Sequence, residues 1–351
     1  MDTPHPRLSP EEHSARLRDV ILPESRLDQV TSQPMPRAIV LAGQPGAGKG
    51  GLVAAVEFEL SDDAVKVDPD ELRGAHPDAR LLRQQHPYTW AGHTHEDASQ
   101  WAKELRSAAV EGRGNLILDT TLGNGDSAVT LIKDLQTKGY DVEIRGVVAH
   151  RLESELGVDA RFSNSLDNRG FGRYVPEDVR KHVYDALPGN LDKVQAETGI
   201  QIRLYGREGA QVYDSHSDTR PPGAALEAER EARLKDPRIT QALRDGWRAQ
   251  GLWHAELTDT LPLNDKVSPP TAAAVFDERA TLKVVEGITP NIQEARGIDH
   301  TIRVRPNMVR GAVIGGAAAT VVEAATEGTK IADLYARDNR TGAEAAMLAT
   351  C

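Results

Sequence analysis

A buried strand that runs directly into a glycine-rich turn and a lysine constrains this chain more than any other feature. Residues 38–41 form a continuous apolar run, AIVL, which is typical of a parallel strand buried on both faces. The next stretch, GQPGAGK at residues 43–49, matches the pattern G-x-x-x-x-G-K. Such a turn directs backbone N–H groups at phosphate oxygens, and the following helix adds partial positive charge. The segment therefore predicts an α/β fold with a phosphate loop at residues 43–49.

The two residues after the lysine depart from the usual pattern. Gly50 and Gly51 stand where phosphate loops commonly carry a Ser or Thr that ligates Mg²⁺. Because Mg²⁺ keeps several waters and often takes one or two protein oxygens, the cradle can function with its metal ligand displaced elsewhere. We expect ATP to bind along this stretch, at Gly43, Gln44, Pro45, Gly46, Ala47, Gly48, Lys49, Gly50 and Gly51.

Strand and helix patterns alternate up to about residue 215. Short apolar runs predict strands at 38–41, 64–67, 116–118, 142–148 and, as the last, 201–205. Residues 98–109 show the i, i+3, i+4 spacing of an amphipathic helix. The alternation predicts a P-loop kinase fold with a doubly wound, mostly parallel sheet.

The polar stretch at 214–223 is the predicted domain boundary. We assign residues 1–215 to the α/β domain and 216–351 to a mainly helical C-terminal extension of unknown role. Helices are predicted at 225–234, at 237–250 and in the Gly/Ala-rich segment near 311–327. An N-terminal helix is predicted to begin at Ser9-Pro10, because Ser caps helices and Pro suits the first turn.

Charge and composition narrow the function classes. The formal net charge of −11 argues against a general nucleic-acid or membrane-surface binder, which would carry a basic face. The apolar segment near 311–322 is shorter than the roughly 20 residues that span a bilayer, so stable membrane insertion is not expected. Cys351 is the only cysteine, which excludes an internal disulfide and fits a reducing compartment. We expect a cytoplasmic protein.

Carboxylates follow two of the predicted strands. Asp68 and Asp70 come after the second strand, and Asp119 and Thr121 come after the third. The carboxyl ends of parallel strands form the ligand-binding edge of an open α/β sheet. One of the first two acids is therefore expected near a metal and the other as acceptor of a hydroxyl proton.

The histidine-rich stretch at residues 86–97 could bind a metal ion, but we favour a different interpretation. Thr94 and Asp97 predict a capping box that opens the helix containing Trp101. His93 and His95 are then exposed loop residues.

Several motifs in order resemble the zeta toxin family of kinases. The family pattern G-Q-P-G-x-G-K appears at residues 43–49, D-x-D-x-F-R-x-x-H-P at 68–77, N-L-x-I-E-G-T at 115–121 and G-Y-x-V at 139–142. Two separated arginines, Arg161 and Arg173, and then His182 follow as in the family. The resemblance covers roughly residues 9–215.

This resemblance implies a kinase that depends on ATP and Mg²⁺ and acts as a toxin. Its expected acceptor is the 3′-hydroxyl of the amino sugar in UDP-N-acetylglucosamine. Asp70 would be the base, while Lys49, Arg161 and Arg173 would hold the transferring phosphoryl group, since guanidinium donors match phosphate oxygens. The substrate-binding positions implied are Asp68, Arg73, His76, Glu104, Asp119 and Thr121, and Asp68 is also the predicted metal ligand.

Four departures from the family pattern affect the expected substrate. The Ser/Thr after the lysine is Gly50, Glu-Gly-Thr is replaced by 119–121, DTT, and the Phe before the Arg is Leu72. Lys103 or Glu104 stands near the family's substrate-binding glutamate, and a lysine there would change what the pocket accepts.

Alternative functions stay open from the residues alone. One is a kinase for an NAD-like dinucleotide, acting as a secreted effector. Another is a nucleotide-binding module without catalysis, which Gly50 and Gly51 favour and the retention of Asp70, Arg161 and Arg173 opposes. The resemblance also implies a small helical antitoxin that blocks the ATP site.

Overall fold

The sheet has six strands in the order β2-β3-β1-β4-β5-β6. The computed structural model describes residues 7–86, 90–173 and 175–257 of the chain. The parallel pairs are β2 with β3, β3 with β1, β1 with β4 and β4 with β5, and β6 runs antiparallel beside β5. The strands are β1 (Arg37–Ala42), β2 (Val65–Val67), β3 (Leu116–Asp119), β4 (Asp141–Val148), β5 (Gln201–Gly206) and β6 (Gln211–Asp214).

Helices connect the parallel strands and extend beyond the sheet. Those before β3 are α1 (Pro10–Arg16), α2 (Leu22–Glu24), α3 (Lys49–Glu59), α4 (Pro69–Leu72), α5 (Ala79–Gln85), α6 (Trp90–His93) and α7 (His95–Glu111). The remaining described helices are α8 (Gly125–Thr137), α9 (Arg151–Arg169), α10 (Glu177–Thr198), α11 (Pro222–Arg233) and α12 (Pro237–Leu257). A π-helical turn, Leu17–Ile21, separates α1 from α2.

The predicted parallel strands are confirmed, and the prediction that β5 ends the sheet is wrong. Strand β6 adds an antiparallel edge, with a register shift between Leu204 and Tyr205. Its four residues, QVYD, are too few to establish a period in the sequence. The predicted helix near 311–327 lies outside the described residues.

Of the two helix N-caps predicted from the sequence, one is confirmed and the other is wrong. Ser9 caps α1, and its Oγ accepts a bond from the Glu12 N–H while the Glu12 carboxylate accepts one from the Ser9 N–H. Thr94 makes no side-chain cap at α7. Its hydroxyl is buried and donates backwards to the Ala91 carbonyl at 3.4 Å, while Asp97 contacts His13. Tertiary contacts have therefore replaced the local cap.

Side chains of β1 alternate between two buried layers. Ala38 and Val40 face a layer built from α7, α8 and α10, whereas Ile39 and Leu41 face α3. Burial on both faces explains the unbroken apolar run in the sequence. The central position of β1, between β3 and β4, places the loop that follows it in the middle of the carboxyl edge.

The helices beyond residue 215 pack directly against the α/β core. Gly223 at the start of α11 donates its N–H to the Asp192 carboxylate of α10 at 2.7 Å. On α12, Gly246 lies against the Leu156 side chain of α9, and Trp247 is fully buried. The division at residue 215 remains a prediction, but residues 216–257 share the core of the first domain. No helix in the described part of the chain combines the length and apolarity needed to cross a membrane.

Replacing Trp247 with Ala should lower the free energy of unfolding by about 3–5 kcal/mol, because the cavity would open in a shared core. Urea denaturation followed by far-UV circular dichroism measures this change. Trp253→Ala on the same helix is the matched control; its ring is partly exposed and bonds Asp167 at 3.2 Å. The control should cost about 1 kcal/mol. Equal, small losses would mean that α12 does not belong to the cooperative unit.

Candidate active site

The phosphate loop connects β1 to α3 at the carboxyl edge of the sheet. Gly48 occupies the N-cap of α3 with φ of 96°, and Gly46 has φ of 80°. These left-handed conformations strain any residue with a Cβ. A Cβ on Gly46 would also collide with the Ser154 carbonyl of α9, and one on Gly157 would collide with the Gly46 carbonyl. Gly46 is therefore required by both conformation and packing, and Gly48 by conformation.

Lys49 is half-buried at the mouth of this loop. Its ammonium lies 2.8 Å from the Asp119 carboxylate and donates to the Thr120 carbonyl at 2.7 Å. A weaker bond reaches the Gly43 carbonyl at 3.4 Å. The three acceptors hold the amine over the loop, where phosphate oxygens can replace them.

Asp68 has an unusual electrostatic environment at the end of β2. Burial raises its pKa to about 6, and the negative charges of Asp119 and Glu71 act in the same direction. Its Oδ1 accepts a bond from the Asp70 N–H at 2.8 Å, which caps α4. A cation between Asp68 and Asp119 would relieve their repulsion, so the residues present fit a divalent metal.

No group of three or more metal-ligating side chains occurs among the described residues. A magnesium site here would thus use one or two carboxylates, with nucleotide phosphates and water as the other ligands. This arrangement suits a loop that has Gly50 in place of a hydroxyl.

Two arginines bind the Asp70 carboxylate. Arg73 donates through Nε at 3.1 Å, and Arg173 forms an ion pair with the other oxygen. Burial lowers the pKa of both guanidinium groups to about 10, against the opposing charge of Asp68. Both remain protonated at neutral pH. Arg73 is further held by the Ala91 carbonyl and by His95 Nδ1 at 3.0 Å.

Arg161 faces the same cleft from α9. Its side chain is exposed to solvent, although nearby protein atoms reduce the hydration of the guanidinium group. Loss of hydration lowers the pKa of its guanidinium, while Asp68 and Asp119 raise it. The structure thus brings together Lys49, Asp68, Asp70, Arg73, Asp119, Arg161 and Arg173.

Two other predicted substrate positions, Glu104 and His76, bond to residues outside this cluster. Glu104 accepts bonds from His13 Nε2 at 3.1 Å and from Gln100 at 2.8 Å. His76 is buried, and its Nδ1 accepts from the Asp78 N–H at 3.1 Å. Thr121 is half-buried just after β3. Their roles in binding an acceptor remain predictions.

Two arginines that contact the phosphate loop, Arg207 and Arg230, were not predicted from the sequence. Arg207, after β5, donates to the Gly46 carbonyl at 3.0 Å. Arg230 of α11 donates to the buried Gln44 side chain at 3.2 Å. Nothing in the local sequence distinguishes these arginines from exposed ones, because their partners are far away along the chain.

The strand order, the glycine loop and the charged cleft define a P-loop kinase-like protein. The Zeta toxin family profile matches residues 24–218, more than half of the chain. The chain belongs to the zeta toxin family, whose members are kinase-like toxins.

Individual relatives are similar over the same region. Toxin zeta of Streptococcus pyogenes is 27% identical over 212 residues, which cover 59% of this chain and 74% of that protein. Toxin PezT of Streptococcus pneumoniae serotype 4 is 28% identical over 191 residues, 54% of this chain and 75% of that protein. A solved structure from the PezAT chromosomal toxin-antitoxin system of Streptococcus pneumoniae aligns with a TM-score of 0.55. That alignment, at 24% identity, covers 63% of this chain and 87% of the other, and it supports the fold.

Replacing Asp68 with Asn should stabilise the protein above pH 7. The folded pKa of about 6 lies above the ordinary aspartate value of 3.8, so the protein loses stability as the pH rises between these two values. Asn cannot ionise but can still cap α4. We expect a gain of about 1–3 kcal/mol at pH 8 that vanishes near pH 4. Urea denaturation at both pH values tests this, with exposed Asp141→Asn as control. A gain of equal size at both pH values would contradict the assignment.

Proposed function

We propose that this protein is an ATP-dependent kinase that phosphorylates a sugar hydroxyl of a nucleotide-linked metabolite. UDP-N-acetylglucosamine, at its 3′-hydroxyl, is the first candidate acceptor. The observation that carries the proposal is the meeting of Lys49, at the phosphate loop, with the Asp70–Arg173 pair in one cleft. A phosphate-binding cation and a carboxylate beside a second cation are the parts that phosphoryl transfer requires.

The phosphate loop and Lys49 would bind the ATP phosphates. The loop's N–H groups and the α3 N-terminus provide donors, and Lys49 would exchange Asp119 for phosphate oxygens. Arg161 and Arg173 would stabilise the charge on the transferring group. In the reaction the acceptor oxygen bonds to the γ-phosphorus, the bond from that phosphorus to the bridging oxygen breaks, and ADP leaves.

Asp70 would accept the proton of the attacking hydroxyl. Its two guanidinium partners favour the ionised carboxylate that a base needs. When Arg173 turns toward the phosphoryl group, one Asp70 oxygen becomes available to the acceptor. Contact with Arg73 then keeps the carboxylate oriented.

Asp68 and Asp119 would hold Mg²⁺, which neutralises phosphate charge when bound. Asp68 is suited to this role because, within the described ranges, no ion pair compensates its ionised form in the way that Lys49 compensates Asp119. Metal binding would favour the charged form of both acids. The missing hydroxyl at Gly50 would thereby be offset.

The contacts of Lys103 and Glu104 on α7 bear on which acceptor the protein binds. Lys103 is exposed on α7, and the neighbouring Glu104 is engaged by His13. This arrangement differs from a freely available substrate-binding glutamate and supports testing an NAD-like dinucleotide as the second candidate. A small helical antitoxin that covers the ATP site is a proposed partner, supported by the family and by the toxin-antitoxin system of the similar structure.

Incubation with ATP, Mg²⁺ and a pool of UDP-sugars and NAD should add one phosphate to a single acceptor, detected by mass spectrometry. Lys49→Ala should lower the rate about 100-fold or more, because a cation facing the transition-state charge is lost. Asp70→Asn should lower it about 10²- to 10⁴-fold through loss of the base.

Lys133→Ala is the control for the lysine change, since Lys133 is exposed and pairs with Glu197 on the surface. It should retain the wild-type rate. An Asp70→Asn protein with full turnover would refute the base assignment. ATP binding without any phosphorylated acceptor would favour a nucleotide-binding module instead.

Gly50→Ser should lower the Mg²⁺ concentration for half-maximal activity by about three- to tenfold, because it restores a hydroxyl ligand. Apart from the adjacent residues and the backbone of α3 itself, no atom of the described residues lies within 4 Å of a Cβ built on Gly50 or Gly51, so neither change creates a tertiary clash. Each should also stabilise α3 by about 0.3–0.5 kcal/mol. Gly51→Ser is the matched control for helix propensity, and a Mg²⁺ titration of both variants separates the effects. Equal shifts would show that position 50 has no special role.

A further inference from the structure

We infer that Arg230 of α11 is a positioning residue for the phosphate loop, which makes a helix beyond residue 215 part of the nucleotide site. Arg230 contacts the buried side chain of Gln44 within the loop. The inference rests on the proposed nucleotide-binding function and adds to it a group that acts from behind the loop.

Gln44 is the buried side chain through which the loop is held. Its amide nitrogen donates to the Ala149 carbonyl at 2.8 Å and to Ser154 Oγ at 2.7 Å. Its amide oxygen accepts from Arg230 Nη2 at 3.2 Å. Only 2% of Gln44 is exposed, so losing a partner leaves a polar group without water. The side chain is therefore held between the start of α9 and α11.

Arg230 is itself held firmly. It is 4% exposed, donates to the Tyr184 carbonyl at 3.1 Å, and lies 3.8 Å over the Tyr184 ring centroid. Its planar group thus combines stacking with two directed bonds. A lysine would keep the charge but not the planar fork that stacks on the ring and reaches both acceptors, so the contacts favour arginine.

A second link joins α11 to the same loop. Arg233 binds the buried Glu153 carboxylate with two bonds, at 2.7 and 2.9 Å. Arg207 donates to the Glu153 carbonyl at 3.2 Å and to the Gly46 carbonyl at 3.0 Å. Burial lowers the pKa of the Arg233 guanidinium group, but the bonds to Glu153 and the negative charge of that carboxylate raise the pKa above its ordinary value. The α11 helix therefore contacts the loop directly at Gln44 and is connected to Gly46 indirectly, through Glu153 and Arg207.

These contacts have a consequence for phosphate binding. A carbonyl bonded on the outside of the loop directs the adjoining peptide N–H groups toward the inside, where an anion binds. Loosening Gln44 would cost ordering free energy each time ATP binds. Nucleotide affinity should therefore fall even though no residue touching the nucleotide has changed.

The test is the Kd for ATP in the presence of Mg²⁺, measured by calorimetry on the full chain. Arg230→Met should raise Kd about tenfold, the size expected for loss of one bond from a charged donor. Gln44→Met should weaken binding similarly. Because both changes break the same contact, the Kd of the double variant for ATP should be no higher than the higher of the two single-variant values.

Arg220→Met is the matched control, since Arg220 is exposed and pairs with Asp218 at 2.7 Å just before α11. It should leave Kd unchanged. Arg230→Lys provides a second variant that keeps the buried charge, and it should also raise Kd. A folded Arg230→Met or Arg230→Lys protein that binds ATP like wild type would overturn the inference, as would independent, multiplying effects in the double variant.

Lys49→Ala separates this inference from the proposed function. If Lys49→Ala loses ATP binding and the Arg230 variants do not, the nucleotide site stands and the role of α11 is wrong. If the wild-type protein binds no ATP, both the proposed function and the inference fail.

Discussion

The close packing of the phosphate loop on the start of α9 is the constraint on which the rest of the site depends. Gly46 and Gly157 allow two backbones to approach where any Cβ would collide. This approach brings Arg161, one turn further along α9, to the cleft in which Lys49 lies. The contact between these small residues thus helps to position both the loop and the arginine that would serve the same phosphoryl group.

Charge balance in the cleft follows from this geometry. Asp68 and Asp119 are near enough to raise the pKa of Asp68, and Lys49 neutralises only part of the negative charge. On the opposite side, Arg73 and Arg173 share one carboxylate, Asp70. A nucleotide with its metal would give Lys49 and the arginines anionic partners other than Asp119 and Asp70, and it would give Asp68 and Asp119 a cation. Binding and electrostatic relief are therefore coupled.

Much of the α/β architecture was predictable because its signals are local. A strand buried on both faces reads as an unbroken apolar run, and the run at 38–41 is confirmed as β1. The α7 helix shows its period clearly in Trp101 and Leu105, both buried. The antiparallel strand β6 was missed because four residues establish no period. The Thr94 cap was predicted wrongly because Asp97 bonds His13, a residue distant in sequence.

The chain's own order of residues was sufficient to specify a phosphate loop, a parallel sheet and a set of acids and arginines at its carboxyl edge. Glycine conformation, strand period and strand-end position are properties of short segments, so they can be read locally. Folding in three dimensions was required to join Arg173 to Asp70, Glu104 to His13 and Arg230 to Gln44. These pairs connect segments far apart along the chain, and their formation depends on how helices pack on the sheet. The local sequence pattern does not specify how the helices pack on the sheet.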